Sequence, residues 1–394
     1  MTEWRKVKLG DVSCYVNDKI DIASFDNSLY ISTDSMLSDK GGITAPESIP
    51  TTGKVTKYQF EDILVSNIRP YFKKIWKSNR DGGCSNDVLV FRGNPTMILP
   101  TFLYYVLSCD SFFEHMMAGA NGTKMPRGNK KLILNYTFGL PDLDVQHRIA
   151  EVLSRYDALI ENYQHQIKLL EEAAQRLYKE WFVDLRFPGH QSTPIINNLP
   201  IGWEKRKIGD FARIKSGFAF KSKDWQTLGC PVVKIKDITG TFVSTNDLDC
   251  VPIEVARNAS SFVLNKGDLV IAMTGATIGK IGLLTENGIY TNQRVGKFFM
   301  NDKYLLPFCY CFFKQETTTK MILQISSSSS AQPNISGGQL ESFEFACNSK
   351  LINDFNLIMY PCFSQMIHLK SQINLLAEAR DRLLPKLMSA EIEV

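Results

Sequence analysis

Apolar side chains recur at alternating spacings of four and three residues along two stretches, 142–186 and about 350–390. This spacing predicts two long helices, each burying one narrow seam. About 40 residues at 1.5 Å each would form a rod of roughly 60 Å. The first seam consists of Ile149, Leu153, Tyr156, Ile160, Tyr163, Ile167, Leu170, Ala174, Leu177 and Trp181. The second consists of Phe355, Met359, Cys362, Met366, Leu369, Ile373, Leu376, Leu383 and Leu387.

The ends and interruptions of these two predicted spacer helices differ. Asp142 and Asp144 place negative charge at the start of the first helix, and the Phe-Pro-Gly segment 187–189 ends it. In the second helix, Arg380 interrupts the seam, and Pro361 is expected to kink the helix or mark its start. Two such rods in one chain pack most simply on each other in antiparallel fashion. A coiled coil between two chains is the competing arrangement.

Short β-branched or aromatic runs bounded by Gly, Asn and Asp predict strands in the rest of the chain. They lie at 61–68, 87–93, 267–273 and 295–300. Helix-length apolar patterns follow at 101–117 and 305–325, and a polar loop follows each of them, at 118–131 and 326–338. The serine run in the second loop is consistent with a flexible linker. Because it stands opposite a loop rich in Lys and Arg, we favour a long binding loop.

The chain repeats itself. WRKVKLGDV at 4–12 returns as WEKRKIGDF at 203–211, with five of nine positions identical. QIKLLEEAAQRL at 166–177 returns as QINLLAEARDRL at 372–383, with eight of twelve identical and an offset of 206 residues. The predicted strands at 61–66 and 267–272 share this offset. A repeat this long predicts two fused copies of a domain-plus-helix unit rather than a solenoid.

The predicted fold class is therefore α+β, with two mixed α/β domains alternating with two long helices in a pseudo-twofold repeat. The domain boundaries that we predict are 1–140 for the first globular domain and 141–190 for the first spacer helix. The second globular domain is predicted at 191–345 and the second spacer helix at 346–394.

The composition and the absence of known motifs exclude several classes of function. The chain has 394 residues, 44% of them hydrophobic, and a net charge of +4, which is too mild to indicate nucleic-acid binding by itself. Nine cysteines without metal-ligand spacing are typical of reduced thiols in a cytoplasmic protein. We expect no signal peptide and no membrane span. GATIGK at 275–280 is one residue too short for a phosphate loop, and no dinucleotide, metal or base-methylation motif is visible. We therefore expect no catalytic residues, no metal and no cofactor bound by this chain.

Basic residues interleave with aromatic ones in the globular parts, which favours contact with DNA phosphates. Candidate phosphate contacts are Arg69, Lys73, Lys74, Lys77, Lys124, Arg127, Lys221, Lys223, Lys234, Lys236 and Lys280. Base readout requires Arg, Asn or Gln on base edges, and the loop candidates for it are Asn121, Gln293, Arg294, Gln332 and Asn334. For any one of these residues, an ordinary solvated surface position is an equally good interpretation. Their clustering is what favours DNA.

The chain resembles the specificity subunits of Type I restriction–modification systems over essentially its full length. The resemblance rests on the two unit starts and on the segments 140–153, 217–225, 231–238, 267–282, 331–336 and 382–392. It implies two target-recognition domains that each read half of a split, asymmetric site in double-stranded DNA, with the helices fixing the gap. It also implies two methyltransferase subunits docked on the helices and added motor-nuclease subunits, with S-adenosylmethionine and ATP bound by those partners.

Two features depart from the family pattern. Residues 118–131 lack the Gln-Pro-Asn present within 331–336, and the second helix lacks the acidic start of the first. A coiled-coil scaffold with protein-binding end domains is the alternative function. It would bind its partners nearly independently of salt, whereas DNA binding weakens steeply as salt rises. A nuclease or methyltransferase active site in this chain is the least favoured reading, because no motif supports it.

Overall fold

A computed structural model describes residues 4–122, 124–326 and 333–394. The chain divides into two compact units, and both spacer helices run from one into the other. Unit 1 comprises the described residues up to Ile160 together with Leu376–Val394. Unit 2 comprises Glu161–Leu375. Each unit thus contains one globular domain and a part of both helices.

Unit 1 is built on two four-stranded sheets and a short two-stranded one. The strands are β1 (Arg5–Lys8), β2 (Ser13–Tyr15), β3 (Lys19–Asp21), β4 (Tyr30–Ile31), β5 (Lys54–Tyr58), β6 (Ile63–Ser66), β7 (Ile75–Lys77), β8 (Gly82–Cys84), β9 (Val88–Gly93) and β10 (Thr137–Leu140). Their order is β2-β9-β6-β7 in the first sheet and β3-β5-β8-β4 in the second, while β1 pairs with β10. Strand β6 (Ile-Leu-Val-Ser) is buried along its whole length, because both of its faces are covered.

The helices of unit 1 cover the first sheet. They are α1 (Leu9–Val12), α2 (Pro100–Ser108), α3 (Asp110–Ala118) and α4 (Lys130–Ile133). Phe102, Val106 and Phe112 share one buried core with Ile63 and Phe91 of the sheet. The apolar run 101–117, predicted as one helix, is two helices that break at Cys109, whose backbone is extended.

Unit 2 repeats this plan. Its strands are β11 (Ile195–Ile196), β12 (Leu199–Pro200), β13 (Glu204–Lys207), β14 (Ala212–Ser216), β15 (Cys230–Val233), β16 (Cys250–Val251), β17 (Val263–Leu264), β18 (Leu269–Ala272), β19 (Ile281–Leu283), β20 (Ile289–Thr291), β21 (Val295–Met300) and β22 (Glu344–Cys347). The order β14-β21-β18-β19 matches β2-β9-β6-β7 of unit 1, and β13 pairs with β22 as β1 pairs with β10. The other sheet, β16-β15-β20-β17, contains one parallel pair, as its counterpart does. Strands β11 and β12 form a separate hairpin.

The helices of unit 2 before its spacer helix are α6 (Ile253–Arg257), α7 (Leu306–Lys314), α8 (Glu316–Ser326) and α9 (Gly337–Glu341). Every residue of α7 up to Phe313 is buried, since the helix lies between the sheet and the spacer helices.

The spacer helices are α5 (Leu143–Tyr178), which continues as a π-helical turn over Lys179–Val183, and α10 (Ser349–Met388). The Asp142 carboxylate caps α5 by accepting the Val145 N–H at 2.9 Å, and the Asn348 side chain caps α10 in the same way. Pro361 therefore does not mark the start of the second helix, because α10 begins twelve residues earlier and runs through it. Buried neighbours such as Phe355 and Phe363 offset the cost of a proline in a helix interior, about 3 kcal/mol.

The two helices run antiparallel within each unit. In unit 1, Ile149 and Leu153 near the start of α5 share a core with Leu384 and Leu387 near the end of α10. In unit 2, the end of α5 packs on the start of α10, and the rings of Tyr178 and Phe355 lie 5.9 Å apart. The α+β class with two repeated domains and antiparallel helices is confirmed. No helix in the described ranges has the length and apolar character that a membrane span requires.

One ionic cluster lies beside the spacer helices in each unit. In unit 1, Asp157 of α5 accepts hydrogen bonds from Tyr105 and Arg380, both at 2.6 Å. In unit 2, Glu171 of α5 accepts hydrogen bonds from Thr241 at 2.6 Å and from Tyr310 at 2.5 Å. Arg380, which interrupts the apolar seam in the sequence, therefore pairs with a partly buried carboxylate.

Candidate nucleic-acid interface

Three loops meet at one end of the first sheet of unit 1, and we call them the unit 1 corner. They are 67–74 between β6 and β7, 85–87 between β8 and β9, and the described residues of 119–129 between α3 and α4. Asn121 and Arg127 exchange backbone hydrogen bonds of 2.9 Å, which closes the third loop into a hairpin-like turn. The backbone N–H of Arg69 donates to the Pro126 carbonyl at 2.8 Å. The loops thus hold one another in place.

The unit 1 corner presents Asn121, Lys124 and Arg127 to solvent. The Arg127 guanidinium pairs with Asp87 at 3.2 Å, and both side chains remain more than a third exposed. Because an exposed pair of this kind contributes at most about 1 kcal/mol, Arg127 can exchange Asp87 for another acceptor at little cost. These three side chains, brought together from one loop, can donate to base edges and phosphates.

Polar atoms without a partner also collect in this corner. In the part of the chain that the structure describes, the buried Oδ1 of Asn67 accepts no hydrogen bond and the buried Nε of Arg69 donates none. Arg69 is half-buried, and its backbone is left-handed with φ 49°. Strained backbone and unpaired polar atoms concentrate at functional sites more often than elsewhere.

Unit 2 has the same corner at the same place in the repeat. Thr274 bridges Asn334 across the sheet end, as Ile68 bridges Arg127 in unit 1. The Thr274 hydroxyl donates to the Pro333 carbonyl at 2.9 Å, and Arg294 donates to the Asn334 side-chain oxygen at 3.3 Å. Gln293, Arg294 and the neighbouring Lys280 are exposed. Gln332, the remaining candidate of this loop, lies outside the described residues.

The other lysine candidates are mostly bound within the protein. Lys73 pairs with Asp110 at 3.0 Å, Lys74 donates to the Thr33 carbonyl at 2.7 Å, and Lys77 donates to the Thr101 hydroxyl at 2.7 Å. Burial lowers the pKa of Lys74. These three side chains are therefore less available to phosphates than their clustering in the sequence indicates.

In unit 2, Lys234 and Lys236 both pair with Asp249, at 2.9 and 2.8 Å, and Lys234 also lies over the Trp225 ring. Hydrogen bonds from Lys236 and Lys234 lower the pKa of Asp249. Lys221 precedes the 3-10 turn Ser222–Asp224, Lys223 lies within it, and both side chains are exposed. The Thr277 hydroxyl of the unit 2 corner donates to the Ile235 carbonyl at 3.3 Å, so Lys234 and Lys236 lie beside that corner although their ammonium groups are already paired.

The helix-packing candidates lie on the inner faces of α5 and α10. Six of them are buried: Ile149, Leu153, Ile160, Ile167, Leu369 and Ile373. The other four are half-buried: Leu170, Leu177, Leu376 and Leu383.

Sequence reasoning missed two kinds of residue. Asp87 and Asn67 belong to the unit 1 corner, and their only sequence signal is their position beside the predicted strand ends. The carboxylates Asp157 and Glu171 lie outside the predicted apolar seam of the first spacer helix. No sequence signal distinguishes them, because their partners are remote in the chain.

No group of three or more His, Cys, Asp or Glu side chains within the described ranges is arranged to hold a metal ion.

Comparison with known proteins gives one family. The family model described as Type I restriction modification DNA specificity domain matches residues 1–172 and 200–347. The HindI specificity subunit of Haemophilus influenzae is 22% identical, over the whole of both chains. The MjaVIII specificity subunit of Methanocaldococcus jannaschii is 27% identical, over 81% of this chain and 78% of that protein. The crystal structure of a Type I S subunit from M. genitalium superposes with a TM-score of 0.55 at 18% identity, covering 98% of this chain and 96% of the other.

The two matched ranges each contain one globular domain with its loop corner, so the family resemblance and the internal repeat describe the same division of the chain. The chain belongs to the Type I restriction modification DNA specificity family.

Proposed function

We propose that this chain is the DNA-recognition subunit of a Type I restriction–modification complex. The observation that carries the proposal is the loop corner that occurs twice, held by the same backbone contacts but presenting different side chains. The bridge from Ile68 to Arg127 in one copy corresponds to that from Thr274 to Asn334 in the other. A protein that recognises two different half-sites needs the same backbone arrangement twice, with different side chains on it. The two corners have this arrangement.

Each corner offers suitable donors for base readout. Arg127 in the unit 1 corner matches the acceptor pair on guanine, and Asn121 matches the donor–acceptor pair on adenine. In the unit 2 corner, Arg294 and Asn334 offer the same two chemistries in another arrangement, with Gln293 exposed beside them. Lys124 and Lys280 are exposed and would neutralise neighbouring phosphates.

The two spacer helices would fix the gap between the half-sites. Helix α5 has 36 residues, so it is about 54 Å long, or about one and a half turns of DNA at roughly 34 Å per turn. The proposed complex places methylation and cleavage on partner subunits: two methyltransferase subunits on the helices and motor-nuclease subunits added to them. S-adenosylmethionine and ATP would be bound by those partners, and this chain would act without catalysis.

Mapping methylated bases across a genome tests the proposal. Cells that carry the partner methyltransferase should show a split motif only when this chain is also present. Absence of any new methylation in a strain that expresses both subunits would refute the proposed function.

Paired variants make the same assay diagnostic for each half-site. Arg127→Ala should relax the specificity of one half of the motif, and Asn334→Ala that of the other. Each variant is the control for the other, since both leave the opposite corner intact. If either variant altered both halves alike, the assignment of one corner to one half-site would be wrong.

The ruler role has its own test. Four extra residues near exposed His165 add one helical turn to α5. We expect a longer gap between two unchanged half-sites. An unchanged gap would contradict the ruler role while leaving base recognition intact.

A further inference from the structure

Unit 1 contains a cavity of about 500 Å³ between its globular domain and the end of α10. The apolar side chains that line it include Val106, Phe138, Leu384 and Met388. For scale, an apolar cavity of about 150 Å³ is enough to bind benzene. Of the three loops of the unit 1 corner, 67–74 reaches the rim of the cavity through Lys73, whereas 85–87 and 119–129 do not line it.

The repeat shows what occupies the corresponding place in unit 2. At the offset of 206 residues, Leu384 and Met388 correspond to Tyr178 and Phe182. In unit 2 these two rings fill the core: Phe182 lies 5.1 Å from Phe308, and Tyr178 lies 5.5 Å from it. Unit 1 has smaller aliphatic side chains at both positions, and the space stays open.

Phe138, which lines the cavity in unit 1, also has a counterpart in unit 2. Phe138 pairs with Val7 across the two-stranded sheet, and Phe345 pairs with Arg206, which is the repeat equivalent of Val7. Phe138 and Phe345 are therefore equivalent. In unit 2, Phe345 lies in a ring cluster, 5.3 Å from Phe308. In unit 1, Phe138 faces the cavity.

The charged rim of the cavity disfavours an anionic ligand. Lys40 and Lys73 both pair with Asp110, at 3.4 and 3.0 Å, and Asp381 lies 3.9 Å from Lys40. Asp39 lines the same mouth, so three carboxylates face two ammonium groups. A phosphate or an acidic segment would meet a rim whose cations are already neutralised. The chemistry instead fits a neutral apolar group.

We propose that this cavity receives an aromatic side chain from a partner polypeptide, which completes in unit 1 the ring cluster that unit 2 completes with its own residues. The preference for an aromatic ring rests on the cavity and the repeat alone. The identification of the partner as the methyltransferase subunit rests on the proposed function.

Indole is the probe for the ring preference. In a chain labelled at its methionine methyl groups, indole should shift the NMR signal of Met388 and leave that of Met125, exposed in the corner loop, unchanged. Calorimetry should find indole binding at least tenfold weaker in Met388→Phe, which fills the cavity as Phe182 fills unit 2. Phe182→Met should open a second site. If indole leaves the Met388 signal unmoved, the ring preference is wrong, whatever the other results.

Assembly tests the partner. In the absence of DNA, Met388→Phe should bind the methyltransferase subunit at least tenfold more weakly than the unchanged chain, at an unchanged or higher Tm. Met125→Phe is the control and should bind as the unchanged chain does. Leu384→Tyr fills the same space from another position and replaces Met388→Phe if that variant does not fold. Indole binding without an assembly defect in the filled variants would overturn the docking role. A failure of the proposed function would instead appear in the methylation map and leave the indole result intact.

Discussion

Replacing Arg380 with alanine should destabilise unit 1 by about 3–5 kcal/mol, the usual cost of removing one partner of a buried ion pair. The Arg380 and Asp157 side chains are only 12% and 25% exposed, so the value of 0–1 kcal/mol for a surface pair does not apply. Without Arg380, the carboxylate keeps Tyr105 as its remaining strong donor at 2.6 Å. For a unit of this size, about 2–4 °C per kcal/mol gives a fall in Tm of roughly 10 °C.

The internal repeat supplies the matched rescue. The positions equivalent to Asp157 and Arg380 are Phe363 and Ala174, both fully buried in the core of unit 2. Replacing a buried ion pair by apolar residues of similar combined volume is often neutral or stabilising. The triple variant Tyr105→Phe, Asp157→Phe, Arg380→Ala should therefore recover to within about 2 kcal/mol of the unchanged chain.

Scanning calorimetry with hydrogen exchange measures this, since protection of the β6 and β9 amides reports on unit 1 separately from unit 2. Arg382→Ala is the control: Arg382 forms an exposed pair with Glu378 and should cost less than about 1 kcal/mol. The reasoning fails if Arg380→Ala costs no more than Arg382→Ala. It fails equally if the triple variant is as unstable as Arg380→Ala.

Three further outcomes follow from the structure. Lys124→Ala should reduce the slope of log affinity against log salt by about 1 for any DNA. Arg127→Ala should weaken the binding free energy by about 1–3 kcal/mol on the cognate site alone. Equal losses of affinity on all DNA from both variants would contradict their separate roles. Although burial raises the pKa of Glu171, hydrogen bonds from Thr241 and Tyr310 outweigh it and hold the pKa below its ordinary 4.5. The stabilisation that ionised Glu171 gives to unit 2 should therefore be fully present above pH 4.5 and be lost as the pH falls through the lowered pKa. Glu171→Gln should flatten this pH dependence of the free energy of unfolding, measured with urea. Pro361→Ala restores a helix N–H at an exposed position and should raise the Tm of unit 2, so an unchanged or lower Tm would show that the proline is accommodated without cost.

The periodic features were predictable because they are local. The spacing that placed Ile149 and Leu153 on one face depends only on residues within a few turns, and both are fully buried. Phe363 was missed although it is equally buried. A helix that packs on a globular domain as well as on another helix buries a wider face than a seam of fours and threes. Tyr310 of the globular domain, 5.0 Å from the Phe363 ring, covers that additional face.

The candidate DNA contacts show the same difference between features set by the local sequence and features set by the tertiary fold. The loop 119–129 was recognisable from its polar, glycine-rich composition, and Asn121 and Arg127 do lie together there. The cluster at 69–77 looked equally basic, yet Lys73, Lys74 and Lys77 have intramolecular partners. One of these partners, Asp110, lies 37 positions after Lys73 in the chain. Residue type therefore indicates which side chains can reach phosphate, but only the tertiary fold shows which are already engaged.

Two partly buried carboxylates distinguish the two halves of the repeated chain. At the repeat offset, Glu171 corresponds to Ala377 and Asp157 to Phe363, so the two charged clusters lie at different positions along the repeat. A helix end placed in the wrong unit would bury Glu171 or Asp157 without Lys314 or Arg380, the cation that pairs with each. An uncompensated buried charge costs about 3–5 kcal/mol, whereas two apolar seams of similar sequence would tolerate the exchange. The Asp157–Arg380 pair thus joins α5 to the end of α10 in unit 1, and Glu171 joins α5 to the globular domain in unit 2.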